Sequence, residues 1–171
     1  MTRRRRLHAE PLTRAAFARF GDVIDCDGIA PVTINAGYAR RFTDLATVDA
    51  AAEDGRAGIS VFKARPRPRP VRLDLMERHP LGSQAFVPLT PDPFVIVVAP
   101  AGDGFAIDDL RAFVTRGSQG CSYARGVWHH PLIALVPQAF LVVDRLGGGI
   151  NLDERPFDQH IEVDLPDCPT I

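Results

Sequence analysis

The chain has 171 residues, a formal net charge of −1 at pH 7, and charged side chains at 24% of its positions. This length is typical of a single domain, residues 1–171, that buries a core without disulfide or metal cross-links. Because the net charge is so close to zero, the chain as a whole has no field strong enough to recruit nucleic acid or an anionic membrane. The expected partner is a small molecule or a second copy of the chain.

The three cysteines are Cys26, Cys121 and Cys168, which are widely spaced and form no CxxC pair. This pattern argues against a disulfide framework and against a thiolate zinc site, and it is typical of a reducing cytoplasm. Residues 1–6 resemble the basic start of a targeting signal, but no apolar stretch of signal-peptide or membrane-spanning length occurs in the chain. We therefore predict that these residues form a solvated, frayed start.

One short helix is predicted near the start of the chain. Thr13 is a suitable N-cap, and Gly21 supplies the stop. The apolar side is formed by Ala15, Ala16, Phe17 and Phe20. From residue 59 onward, short β-type runs alternate with proline and glycine. The predicted strands are Ile59–Ala64, Val71–Arg78, Gln84–Leu89, Phe94–Ala99, Arg111–Thr115, Trp128–Val136, Phe140–Asp144 and Ile161–Leu165. Their spacing predicts a mainly β fold, an antiparallel sandwich or barrel.

Two unusual runs are interpreted as connections between strands. Residues 65–70 repeat Arg-Pro, and because proline cannot donate ladder hydrogen bonds, we expect an exposed connector or a sheet edge there. Residues 147–149 are three glycines without the following helix of a phosphate-binding loop, so they predict a flexible turn and no nucleotide cofactor.

The strand from Val71 to His79 carries the first candidate site residues. Its odd positions are Val71, Leu73, Leu75, Glu77 and His79, which strand alternation places on one face. Since the first three are apolar, we expect this face to point into the core and to carry Glu77 and His79 inward. A turn at residues 80–82 then allows Gln84, at the start of the next strand, to return beside them.

The spacing Glu77-x-His79-x4-Gln84 resembles the first cupin motif, in which histidines and a later acid hold a divalent metal inside a β-barrel. The run from Ala124 to His129 resembles the second cupin motif, a Pro-x-Gly turn followed by His, with alanine in place of the proline. This resemblance implies a cupin-type antiparallel β-barrel or jelly roll in which Glu77, His79, Gln84 and His129 converge. Such a group can hold a divalent transition metal, or it can work without metal while His and Glu move protons.

Six further residues are candidates for supporting roles. Lys63 is the only lysine, and it shares its parity with Ile59 and Val61, so it can either extend a charge into the pocket or remain a solvated lysine at the end of the strand. Tyr123 is expected to place a phenol near His129. Asn35 and Arg41, with Arg40, form a polar patch that is able to bind a carboxylate. His130 follows His129 directly, so it is expected to face the other way and to serve in packing or subunit contact.

The stretches Met76–Phe86 and Arg125–Leu132 resemble the two most characteristic stretches of the ureidoglycolate lyase family. Supporting likenesses are Pro11–Ile24, Arg41–Ala46, Leu110–Val114 and Phe140–Arg145, so the resemblance covers most of the chain. It implies a homodimeric cupin barrel that cleaves (S)-ureidoglycolate to glyoxylate and urea, late in allantoin and purine degradation. It also implies that a divalent metal, nickel or a similar ion, is present in some members, and that no organic cofactor is required.

Ureidoglycolate carries its hydroxyl, ureido nitrogen and carboxylate on one carbon, so its cleavage needs a base at the hydroxyl and an acid at the leaving nitrogen. We predict that His79 or Glu77 takes the hydroxyl proton and that His129 or Lys63 assists the departure of urea. Substrate-binding roles are predicted for Gln84, Tyr123, Arg41 and Asn35. If a metal is bound, its ligands are predicted to be Glu77, His79, Gln84 and His129.

Two other functions are compatible with the same fold. A metal-dependent cupin oxygenase or isomerase would need an open coordination position on its metal, and metal analysis separates it from a lyase. A non-catalytic cupin would bind a small carboxylate without forming product. The sequence also leaves open a hydrolase that releases ammonia in place of urea from the same substrate.

Overall fold

The computed structural model describes residues 4–166, which fold mainly into β-strands. The strands are β1 (Arg4–Pro11), β2 (Gly21–Ile24), β3 (Val32–Ile34), β4 (Ala39–Arg41), β5 (Arg56–Ala64), β6 (Val71–Arg78), β7 (Gln84–Pro88), β8 (Phe94–Ala99), β9 (Arg111–Val114), β10 (Gly120–Tyr123), β11 (Trp128–His129), β12 (Ile133–Ala134), β13 (Gln138–Leu146) and β14 (Asp153–Asp164). One short helix, α1 (Arg14–Phe17), lies between β1 and β2, and short 3-10 turns occupy Asn35–Gly37, Ala52–Asp54 and Ile107–Asp109.

Six strands close into a ring. Their order is β11, β6, β14, β1, β9 and β8, and β8 also pairs with β11 to complete the ring, while β12 pairs with β8. A second sheet has the order β2, β10, β7, β13 and β5, and β3 pairs with β4 as a separate hairpin. This arrangement confirms the mainly β, cupin-type barrel with one short helix. The barrel is mixed because β1 runs parallel to both β14 and β9.

Two apolar clusters hold the sheets together. One takes side chains from all six strands of the ring, including Leu7, Val71, Val97 and Trp128. The other lies between the ring and the second sheet and includes Phe86, Phe113 and Phe140. Strand β8 contributes to both clusters, and all six of its residues are buried. This explains why its sequence is a continuous apolar run, since both faces of the strand are removed from water.

The helix follows the prediction closely. The Thr13 side chain accepts a hydrogen bond from the amide of Ala16 at 3.2 Å, as an N-cap does. Phe17 and Phe20 are buried. Gly21 has φ +140°, and a Cβ at this position would lie 1.9 Å from the Ser122 carbonyl oxygen, so the chain can enter β2 here only with glycine.

The N-terminal prediction is wrong from residue 4 onward, because Arg4 begins β1 and this strand is paired on both sides. Two further strands, β2 and β10, were not predicted. The predicted strand Trp128–Val136 is interrupted, because only 128–129 and 133–134 are paired. The Arg-Pro run at 65–70 lies between β5 and β6, which agrees with the predicted connector. Cys168 lies outside the described residues.

Within residues 4–166, none of the helices is long and apolar enough to cross a membrane.

Candidate active site

Glu77 and His129 are cross-strand neighbours on the paired strands β6 and β11. His129 is also paired with Val98, whose side chain belongs to the apolar cluster between the two sheets. The adjacent pair, Trp128 and Ala99, points the other way and belongs to the apolar cluster of the ring. Since paired residues share a face, Glu77 and His129 both point toward the second sheet. The site therefore lies between the ring and the second sheet.

The predicted alternation along β6 fails between Leu73 and Met76. Val71, Leu73 and the even-numbered Met76 all belong to the cluster of the ring, while Leu75 is only half-buried. The burial pattern slips by one residue where the pairing of β6 with β14 also shifts. Glu77 is therefore directed inward, as expected, but on the face opposite to Val71 and Leu73.

Two turns hold the strand ends that carry the site. The Gly126 amide donates to the His79 carbonyl at 3.0 Å, and the Arg125 side chain donates to the Pro80 carbonyl at 2.5 Å. Gly126 has φ +75°, a left-handed conformation that favours glycine. These bonds tie the end of β6 to the turn before β11, so they bring the two most characteristic stretches of the sequence together.

The carboxyl of Glu77 and the rings of His79 and His129 form a compact cluster. Glu77 Oε1 lies 3.4 Å from His129 Nε2, and the two imidazole centroids are 5.2 Å apart. One potential ligand atom from each of the three residues lies within 4.8 Å of the other two. The cluster confirms that Glu77, His79 and His129 converge, as their spacing predicts.

Backbone carbonyls fix the orientation of both imidazoles. His79 Nδ1 lies 2.7 Å from the Asn151 carbonyl oxygen, and His129 Nδ1 lies 3.0 Å from that of Val127. Because a carbonyl oxygen only accepts, each Nδ1 carries the proton and each neutral ring presents a bare Nε2 lone pair. Both Nε2 atoms are buried and without a hydrogen-bond partner in the described structure.

The surroundings of the cluster favour a carboxylate beside neutral imidazole. Burial alone raises the pKa of Glu77, but contact with His129 and the nearby His79 and His130 outweigh it and lower this pKa below its ordinary value. Burial lowers the pKa of His129, and the attraction of Glu77 does not offset that effect. At neutral pH Glu77 and His129 are therefore arranged as proton acceptors or as ligands for a cation.

This ligand set fits a divalent metal ion. A carboxylate and two bare imidazole nitrogens suit transition metals, and a backbone carbonyl on the other ring nitrogen is the usual support for a metal-binding histidine. The facing lone pairs of His129 Nε2 and Glu77 Oε1 repel each other unless a proton or a cation lies between them. The residues present therefore match a metal site chemically.

The second sheet supplies the opposite wall of the site. The ring of Tyr123 stacks on His129, with centroids 4.2 Å apart and planes 16° apart. Gln84 is the cross-strand neighbour of Tyr123 and lies at the start of β7, six residues after the end of β6. It is buried, and its Oε1 has no hydrogen-bond partner in the described structure. Tyr123 and Gln84 are thus on the wall that faces the cluster.

Three predicted site residues are not brought to the cluster. Lys63 shares a face with Ile59 and Val61, as predicted, but those side chains are 72% and 56% exposed, so this is the outer face of the sheet. Asn35 and Arg41 are exposed on or beside the β3–β4 hairpin. Lys63 therefore does not extend into the pocket, because parity does not tell which face is buried. The carboxylate-binding roles of Asn35 and Arg41 stay predictions, since their exposed positions do not support them.

His130 follows the packing prediction. It is buried, its Nδ1 lies 2.7 Å from the Pro131 carbonyl oxygen, and its Nε2 accepts from the Asp74 amide at 3.4 Å. Both ring nitrogens therefore have partners away from the cluster.

Two residues of the site were missed in the sequence. Asn151 holds His79 through its carbonyl, and its side chain accepts from the Leu81 amide at 2.8 Å. Asp144 is the cross-strand neighbour of Gln84 and has a buried Oδ1 without a partner in the described structure. The alternation of Phe140, Val142 and Asp144 was a signal for Asp144, since it continues an apolar face with an acid. Asn151 lies in a loop and offered no comparable signal.

Comparison with known proteins identifies the family of the chain. The family model described as ureidoglycolate lyase matches residues 4–164. A ureidoglycolate lyase of Burkholderia mallei (strain NCTC 10229) is 57% identical over 156 residues, which cover 91% of each chain. One from Pseudomonas syringae pv. tomato is 51% identical over 166 residues, covering 96% of this chain and 98% of the relative. A third, from Azotobacter vinelandii, is 51% identical over 154 residues, 90% of this chain and 93% of the relative. The chain therefore belongs to the ureidoglycolate lyase family.

Proposed function

We propose that this chain is a carbon–nitrogen lyase that cleaves (S)-ureidoglycolate into glyoxylate and urea. The observation that carries the proposal is the cluster of Glu77, His79 and His129, buried between two sheets in a chain that matches the family over nearly its whole length. The relatives named ureidoglycolate lyase, at 51–57% identity, support the same substrate.

The reaction needs only one proton to move. When the hydroxyl oxygen of ureidoglycolate loses its proton, the C–O bond becomes a carbonyl and the C–N bond breaks. The ureido nitrogen then takes up the proton, so glyoxylate and urea contain every atom of the substrate. A base that accepts the proton and returns it is therefore sufficient, and positioned proton transfer contributes roughly 10²–10⁴-fold to the rate.

His79 is the proposed base, because its Nδ1 is held by the Asn151 carbonyl and its Nε2 is bare. The imidazolium that forms is stabilised by the adjacent Glu77 carboxylate. The proton then passes from His79 to Glu77 and from Glu77 to His129, which lies 3.4 Å from Glu77 Oε1 and gives the proton to the leaving nitrogen, so that all three residues return to their starting state. Tyr123 positions His129 by stacking on its ring.

We propose that Glu77, His79 and His129 hold one divalent metal ion, nickel or a similar ion, when such an ion is available. The three residues then act as ligands in place of moving the proton, and Gln84 is left to bind the substrate. When bound, the ion would supply Lewis-acid polarisation of the hydroxyl and carboxylate oxygens of the substrate. The nearby groups that affect the pKa of Glu77 are all histidines. A bound cation would therefore supply a positive charge directly beside this carboxylate.

Three broader proposals accompany the activity. We propose that residues 1–171 act as a single domain, which suits the length of the chain. We propose a homodimer, supported by the exposed apolar side chains Ile59 and Val61 on the outer face of the second sheet. We propose a cytoplasmic location, supported by the widely spaced cysteines, of which Cys26 and Cys121 are free thiols.

The test is to incubate the purified protein with ureidoglycolate, with and without a chelator, and to assay glyoxylate, urea and ammonia together. Glyoxylate and urea in equal amounts, without ammonia, are expected. Ammonia in place of urea would identify a hydrolase, and absence of turnover in metal-supplemented protein would contradict the proposed activity.

A further inference from the structure

Unpartnered polar atoms are concentrated at the site. Six buried side-chain nitrogen or oxygen atoms in the described residues have no hydrogen-bond partner. Four of them belong to the two walls of the site, namely His79 Nε2, His129 Nε2, Gln84 Oε1 and Asp144 Oδ1. Because a buried polar atom without a partner is costly, this concentration marks the place where the polar groups of a ligand are received.

Gln84 and Asp144 form a row with Tyr123 across the second sheet. Tyr123 pairs with Gln84, and Gln84 pairs with Asp144, so the three side chains share one face at cross-strand spacings of about 5 Å. This is the face of Phe140 and Val142, which belong to the cluster between the sheets. Asp144 continues that face where the buried apolar residues of β13 end.

The two walls differ in what they offer. The ring side offers two bare histidine nitrogens and the Glu77 carboxylate, which suit the proton of the substrate hydroxyl, or a cation that would bind the hydroxyl and carboxylate oxygens. The second sheet offers two neighbouring acceptors, Gln84 Oε1 and Asp144 Oδ1. A carboxylate has no hydrogen to donate to such acceptors, whereas a ureido group carries N–H donors on both of its nitrogens.

We propose that Gln84 and Asp144 bind the ureido group of the substrate by accepting hydrogen bonds from its N–H groups. Asp144 thereby becomes a substrate-binding residue that selects ureido compounds over simple hydroxy acids. This assignment rests on the proposed lyase function, since it places the leaving urea against the second sheet and the glyoxylate portion against Glu77, His79 and His129.

The experiment compares two small ligands by calorimetry. N-carbamoylglycine carries the carboxylate and the ureido group without the hydroxyl, while glycolate carries the carboxylate and hydroxyl without the ureido group. In Asp144→Leu and Gln84→Leu variants, the dissociation constant of N-carbamoylglycine is expected to rise about tenfold or more, as for loss of a buried hydrogen bond, and that of glycolate to stay within about twofold. Asp158→Leu, at an exposed acid, serves as the matched control.

Equal weakening of both ligands, or no weakening of either, would overturn the assignment. If a leucine variant fails to fold, Asp144→Asn and Gln84→Glu replace it, and the same preferential loss of N-carbamoylglycine is expected at smaller size. Turnover of ureidoglycolate by the wild type is measured in parallel. If the wild type shows no turnover but N-carbamoylglycine binding depends on Asp144, the lyase activity is refuted and the ureido subsite is supported. If the wild type shows turnover but the Asp144 and Gln84 variants bind N-carbamoylglycine as the wild type does, the lyase activity is supported and the ureido subsite is refuted.

Discussion

The ring of Tyr123 lies stacked on the ring of His129, with their centroids 4.2 Å apart. The two residues come from different sheets, so this contact connects the wall that carries Glu77 with the wall that carries Gln84. Burial raises the pKa of Tyr123 well above its ordinary value, and its hydroxyl interacts with the Cys121 thiol. The phenol therefore stays protonated at neutral pH, and its contribution to the site comes from the ring.

Replacing Tyr123 by Phe should preserve the stacking and leave kcat within about threefold of wild type. Replacing it by Leu removes an aromatic contact of about 0.5–1.5 kcal/mol, so kcat should fall by up to about tenfold as His129 loses its fixed orientation. Steady-state kinetics measure both variants. A Phe variant that is as impaired as the Leu variant would show that the hydroxyl has a direct role.

Replacing His79 by Gln should reduce kcat by about 100-fold or more, since the proposed proton acceptor is lost. The matched control is His8→Gln, because the His8 side chain is 82% exposed and lies on β1, a strand that carries none of the site residues. Kinetics with thermal unfolding separate chemistry from folding. Wild-type turnover in a folded His79→Gln variant would remove His79 from the mechanism.

Asn151 is expected to act by positioning His79. Its side chain accepts from the Leu81 amide, so Asn151→Ala should cost about 1 kcal/mol and lower the Tm by about 2–4 °C. Because the His79 ring is held by the backbone carbonyl of the same residue, kcat should also fall while KM changes little. Asn151→Asp keeps an acceptor oxygen and should restore both the Tm and kcat. An alanine variant with unchanged kcat would limit Asn151 to a structural role.

The core of the site was predictable because its residues are close in sequence or lie in recognisable turns. Glu77, His79 and Gln84 belong to one hairpin, and the glycine turn before His129 carries its own signal. Alternation in β6 nevertheless predicts the wrong face for Glu77, since the strand slips by one residue opposite the irregular part of β14. Such a slip depends on pairing with a distant strand, which single-strand periodicity does not contain.

Predictions that depended on long-range pairing failed more often. The arginines at the start hide a strand whose alternating Leu7 and Ala9 are buried, because its parallel partners β9 and β14 lie far away in the chain. Lys63 was singled out by composition, yet only the pairing of β5 with β13 shows that its face is the outer one. Exposed apolar side chains on that face, such as Ile59, made the outer face resemble an inner one.

Burial raises the pKa of the Cys121 thiol from 9.0 to about 12. A raised folded-state pKa means that this thiol stabilises the fold below pH 9 and that the stabilisation is lost as pH rises toward 12. The free energy of unfolding should therefore decline over this range, by at most about 1.4 kcal/mol per pH unit from this group. Chemical denaturation of the wild type and a Cys121→Ala variant at several pH values measures the difference. An equal decline in the variant would show that other groups cause it.

Binding of a divalent metal should stabilise the folded protein, because the three ligands are brought together only in the native state. Nickel added to chelator-treated wild type should raise the Tm, by an amount that increases with its concentration. Glu77→Gln and His129→Ala should abolish the increase, whereas His8→Ala should retain it. This measurement does not depend on turnover, so it distinguishes a metal site from a metal-free pair of proton carriers. An unchanged Tm at nickel concentrations that saturate ordinary protein sites would contradict the metal assignment and leave His79 as the base.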